Sequence, residues 1–80
     1  MAIAGLLVET LPKHIADVEK KISNVIGMTS YGIHQERFVV VVAEFPSADI
    51  EKAVDAIKSY GGVLSIYTTY ITLEDEAATS

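Results

Sequence analysis

Few side chains in this sequence could carry chemistry, and they are scattered. The two histidines, His14 and His34, fall in different predicted elements, with no acid at a spacing that suits a metal. Both read as solvated or helix-terminal side chains. The absence of cysteine excludes disulfides, thiolate ligands and thiol nucleophiles together. Serine and threonine hydroxyls are present without a paired base. Gly61-Gly62 does not sit between a strand and the helix it opens, as a phosphate-cradling loop must, and reads as a helix stop. Glu74, Asp75 and Glu76 read as a solvated tail. Tyr31, Tyr60, Tyr67 and Tyr70 are packing residues by default, with Tyr67 the one expected to make an outward contact. No catalytic residue, cofactor or metal site is expected. The chain reads as a binding module, not an enzyme.

The bulk properties agree. Eighty residues suffice for one small domain and leave little room for an enclosed cavity. Half of the residues are hydrophobic, as in a folded protein. A net charge of −5 is the wrong sign for nucleic acid or an anionic membrane surface, and it attracts cationic partners over long range. The apolar start, Met1 to Glu9, lacks the basic residues and length of a secretory signal, and no run is long enough to cross a bilayer. A cytoplasmic location and no membrane insertion are expected.

These side chains are positioned by six predicted elements. Ala2 to Val8 is a short apolar run that reads as a strand. Pro12 can open a helix, and Leu11, Ile15, Val18 and Ile22 recur at helical spacing until Gly27. Met28 to His34 is a weaker strand interrupted by Gly32, which suits an edge or a bulge. Gln35 and Glu36 fit a hairpin turn. Arg37 to Ala43, with four consecutive valines, is the clearest strand. Ser47 is a candidate N-cap for a second helix whose stripe is Ile50, Ala53, Val54 and Ile57. Val63 to Thr72 is the last strand. The order predicts an α+β, ferredoxin-like βαββαβ fold: a four-stranded antiparallel sheet with two helices on one face. The domain is expected over 1–73, with an acidic flexible tail over 74–80.

The other face of the sheet is then left open, and alternation along each strand assigns its residues. In the first strand Ala4, Leu6 and Val8 face the helices, and Ile3, Gly5, Leu7 and Glu9 are open, with Glu9 as the marker. In the third, Phe38, Val40 and Val42 are expected inward, with Val39, Val41 and Ala43 open. In the last, Leu64, Ile66, Thr68 and Tyr70 are expected inward, with Ser65, Tyr67, Thr69 and Ile71 open. Tyr31 and Ile33 are placed on the open side. Such a face is too apolar for plain solvent, at about 300 Å² or more, and predicts a contact.

The strand AIAGLLVET (Ala2 to Thr10) and the segment YGGVLSIYTTY (Tyr60 to Tyr70) resemble the NapD family. The resemblance extends from Ala2 to about Glu74, through the valine-rich strand and the acidic end. It departs where Gly5 replaces a frequent serine and where Ile71, not histidine, follows Tyr70. The resemblance implies a ferredoxin-like cytoplasmic chaperone of the periplasmic nitrate reductase. Such a chaperone binds the twin-arginine signal peptide of the catalytic subunit precursor, as a helix against the sheet. It delays export until the cofactors are inserted. The expected peptide-binding residues are then Leu7, Glu9, Tyr31, Val39, Val41, Tyr67, Thr69 and Ile71. Glu9 is the first candidate to meet an arginine, and Glu44 and Glu74 follow. Three other readings stand beside this one. A weak homodimer could cover the open face. An ACT-like regulatory domain with the same element order would bind a small ligand at a homodimer interface. An acylphosphatase-like hydrolase is disfavoured, because Arg37, the sole arginine, lies after the hairpin instead of after the first strand.

Overall fold

The computed structural model describes residues 2–73. It contains strand β1 (Ala2–Thr10), helix α1 (Ile15–Ser23), strands β2 (Met28–His34) and β3 (Phe38–Phe45), helix α2 (Ile50–Lys58) and strand β4 (Val63–Leu73). The sheet order is β2-β3-β1-β4, and every neighbouring pair is antiparallel. This is the expected ferredoxin-like arrangement, with the two most uniformly apolar strands at the centre. The acidic tail expected over 74–80, including Glu74, lies outside the described residues.

Both helices are entered through a 3-10 turn, Pro12–His14 for α1 and Ser47–Asp49 for α2. Proline sits well there, since its missing N–H would be unpaired anyway. The Ser47 hydroxyl does not cap α2. The residue lies inside the 3-10 turn, after Pro46, and no side chain caps that turn or the helix. Ile15, Val18 and Ile22 of α1 and Ile57 of α2 join Ala4, Leu6 and Val8 of β1 in one buried cluster. Both helices therefore cover the same face. At the exit of α2, Gly62 has φ +93°, and a Cβ there would run into the His14 side chain. Its carbonyl accepts the Leu11 N–H at 2.9 Å, so the glycine pair ends the helix and locks the start of β4 onto the end of β1.

The β2–β3 hairpin turns through Gln35 and Glu36, both at φ 55°, and the Arg37 N–H donates to the His34 carbonyl at 3.1 Å. Positive φ at both central residues matches the right-handed twist of the flanking strands, which is why hairpins favour it. Neither residue is glycine, so the turn carries strain of about 1–2 kcal/mol at each.

The structure corrects the facing of β3. Val39, Val41 and Ala43 are fully buried in the helix-side core, and Phe38, Val40 and Val42 take the open side. The reason is register: Val39 pairs with Val8 and Val41 with Leu6, so all four share one face. Three register shifts modify the alternation elsewhere. In β2, Tyr31 and Gly32 together oppose Val40, which leaves Ile33 beside Val39 on the helix side instead of the open side. In β4, Leu64 is the extra residue between Val63 and Ser65 and is exposed rather than inward. Also in β4, Thr69 is extra between Thr68 and Tyr70. Downstream of it the faces exchange: Tyr70 pairs with Gly5 on the open side, and Ile71 pairs with Ala4 on the helix side.

Adjacent valines of β3 should therefore behave differently when truncated. Val41→Ala should cost about 2 kcal/mol by urea unfolding, because the side chain is wholly buried, and Val40→Ala less than about half of that. Equal losses would place both residues on the same kind of surface.

Candidate functional site

The open face is a grid of four rows across the strand order β2-β3-β1-β4. The first row is His34, Phe38, Glu9 and Ser65. The second is Tyr31, Val40, Leu7 and Tyr67. The third is Thr29, Val42, Gly5 and Tyr70, with Thr69 beside Tyr70. The fourth holds Glu44, Ile3 and Thr72. The centre is thus aliphatic, from Ile3, Leu7, Val40 and Val42. Its flanks are aromatic, with Tyr31 on one edge and Tyr67 and Tyr70 on the other. These tyrosines are 69%, 51% and 48% exposed, far more than packing alone would leave them. Rings of this kind present an apolar body and a polar tip at a wet boundary.

Gly5 is covered on this face. A Cβ there would collide with the Tyr70 ring and the Thr69 hydroxyl, so the ring lies down over the glycine. The size of the face also matters. Four strands at about 4.8 Å spacing put the outer two about 14 Å apart, and a helix with its side chains is about 10–12 Å across. The four rows extend about 20 Å along the strands, the length of about 14 helical residues. The face therefore has the width and length to seat one amphipathic helix between its tyrosines.

The face carries a carboxylate at each end, and Glu9 is the one that other side chains engage. The Tyr67 hydroxyl donates to Glu9 Oε1 at 3.4 Å, and Arg37 Nε approaches Glu9 Oε2 to 3.9 Å. Both contacts are long for charge-assisted bonds, so the carboxylate retains acceptor capacity toward solvent. Glu44, two rows beyond Leu7 on the neighbouring strand, is exposed at the opposite end. Beside it, at the corner of β2 and β3, is an apolar notch of about 450 Å³ lined by Ile26, Met28, Phe45 and Pro46 among others. Ile26 is 94% exposed at its lip. Among the described residues no cluster of three or more His, Cys, Asp or Glu is disposed to hold a metal, and no helix is long and apolar enough to cross a membrane.

Of the residues expected on the face, Leu7, Glu9, Tyr31, Tyr67 and Thr69 lie on it. Val39 and Val41 do not, being fully buried beneath the helices. Ile71 is turned to the helix side by the bulge at Thr69. In their place the face gains Phe38, Val40, Val42 and Tyr70. Glu44 carried the signal for β3: it is the charged residue of that strand, and Phe38, Val40 and Val42 share its parity.

The sequence model of the NapD protein family matches residues 1–75. No curated protein matches the chain. Among solved structures, the solution structure of the E. coli Tat proofreading chaperone protein NapD superposes with a TM-score of 0.76. It is 18% identical, over 92% of this chain and 80% of that one, and at that identity the likeness is one of fold.

The contact between Tyr70 and Gly5 leaves no space for a larger residue. Gly5→Val should lower the melting temperature by about 4 °C or more, the shift that a loss of about 1 kcal/mol gives in a domain of this size. Adding Tyr70→Ala should recover most of it. Additive losses in the double variant would mean that the ring is not what fills the space.

Proposed function

The chain belongs to the NapD family, and we propose that it is a chaperone for a twin-arginine signal peptide, bound as a helix on the open face of the sheet. It is not an enzyme, in keeping with that family and with the chaperone whose structure it resembles. Its client is the precursor of the periplasmic nitrate reductase catalytic subunit, held in the cytoplasm until cofactor insertion is complete.

The observation that carries this reading is the composition of the face: an aliphatic floor between tyrosines, with a carboxylate at one end. A twin-arginine signal has the complementary order, a basic start followed by an apolar stretch. The apolar part would bury its stripe on Ile3, Leu7, Val40 and Val42, as amphipathic helices do in grooves. The arginines would meet Glu9, with which guanidinium forms paired hydrogen bonds, and the net charge of −5 would speed the encounter. Tyr31, Tyr67 and Tyr70 would close over the sides of the helix, and Thr69 would lie against it near Gly5.

Calorimetry with a synthetic twin-arginine signal peptide tests this. Binding should weaken as salt is added, because part of the attraction is ionic. Leu7→Glu and Tyr67→Asp should each weaken it at least about tenfold, equivalent to about 1.4 kcal/mol, while circular dichroism stays that of the folded domain. Undiminished binding in both variants would place the peptide elsewhere. Self-association on this face, seen as a dimer by light scattering and abolished by the same variants, would instead favour a second copy as its cover.

A further inference from the structure

We propose that Arg37 is an internal stand-in for the arginine of the bound peptide: it holds the Glu9 carboxylate in the free protein and must release it for the peptide to dock. This rests on the peptide reading above. Arg37 is the only arginine in the chain, and it is placed where it can do this. Its N–H donates to the His34 carbonyl at 3.1 Å, and its own carbonyl accepts the Thr10 N–H at 2.8 Å. The backbone is thus anchored to the end of β2 on one side and the end of β1 on the other, and the side chain is left to move. That side chain is 62% exposed, whereas the Glu9 side chain is 21% exposed.

The contact itself is poor. Nε stops 3.9 Å from Oε2, beyond hydrogen-bonding distance, and among the described residues the second oxygen is held by the Tyr67 hydroxyl alone, at 3.4 Å. A second guanidinium approaching from the open face could take both oxygens in the paired geometry that Arg and carboxylate prefer. Arg37 would then turn out to solvent, where an exposed arginine loses little. The exchange swaps one arginine for another, so the charge on Glu9 stays compensated in both states. This makes the site selective: a guanidinium matches both carboxylate oxygens, which an ammonium or a neutral side chain does not, and so competes best with Arg37. Arg37 is a positioning and gating residue in this account, and its removal should increase affinity.

The test compares the wild-type protein, Arg37→Gln and Lys52→Gln by calorimetry at low salt. Two peptides are used: a twin-arginine signal peptide and the same peptide with both arginines replaced by glutamine. Lys52→Gln makes the same change in net charge on α2, away from the open face. Arg37→Gln should bind the arginine peptide about two- to five-fold more tightly, the range set by exposed ion pairs, and the gain should shrink as salt is added. Lys52→Gln should give no comparable gain, the glutamine peptide should gain nothing, and Glu9→Gln should abolish the gain when combined with Arg37→Gln. Wild-type binding with no gain in Arg37→Gln, or an equal gain in Lys52→Gln, overturns the role of Arg37 and leaves the peptide reading intact. Absence of binding by both the wild type and Arg37→Gln overturns the peptide reading and this inference together.

Discussion

The pairing of β1 between β3 and β4 is the constraint on which the rest of this molecule depends. Eight residues of β1 are matched to β3, from Ala2 with Phe45 to Glu9 with Phe38. The same strand pairs on its other side with β4. Because side chains alternate along a strand, that double pairing sorts each row of the sheet into one face or the other. Leu6, Val8, Val39 and Val41 go beneath the helices and supply the core. Leu7, Val40 and Tyr67 go to the opposite face and supply the surface. Stability and the proposed binding thus rest on alternate residues of the same strands. A one-residue slip would exchange the two sets and remove both.

The element order, the central position of the two apolar strands, the hairpin at Gln35-Glu36 and the covered face of β1 were all legible from residue types. Glu9 made β1 readable: one charged residue in an apolar strand names the face that can reach water. The four valines of β3 carry no such mark, since each is equally suited to either side, and with Phe38 taken as inward the whole strand faces the wrong way. Glu44 held the missing information. It lies on the same side as Phe38, Val40 and Val42, so the rule that worked for β1 also works for β3. The exchange of Tyr70 and Ile71 is different in kind. It follows from the extra residue at Thr69, and strict alternation cannot anticipate a bulge. Its trace in the sequence is the glycine opposite, Gly5, where a side chain would meet the Tyr70 ring.

The corrections leave the open face apolar and make it more aromatic. Phe38, Val40 and Val42 replace Val39, Val41 and Ala43, Tyr70 replaces Ile71, and Ile33 leaves the face. The result is a surface with tyrosines at both edges and a carboxylate at each end, of which Glu9 is engaged loosely by Tyr67 and Arg37. Deep burial would make that carboxylate costly to leave unpaired, and full exposure would make any ion pair weak. Its partial exposure lies between those limits, which suits a contact that must form with an incoming partner and later be released.

The central claim is that the peptide lies on the open face of the sheet and not on its helices. Chemical-shift mapping by NMR, with isotope-labelled protein and an unlabelled twin-arginine signal peptide, tests it most directly. The largest changes are predicted at Leu7, Glu9, Tyr31, Val40, Val42, Tyr67 and Tyr70, with small changes along the outer surfaces of α1 and α2. Changes concentrated on Asp17, Lys21, Lys52 and Asp55 of the two helices, with the open face undisturbed, would contradict it.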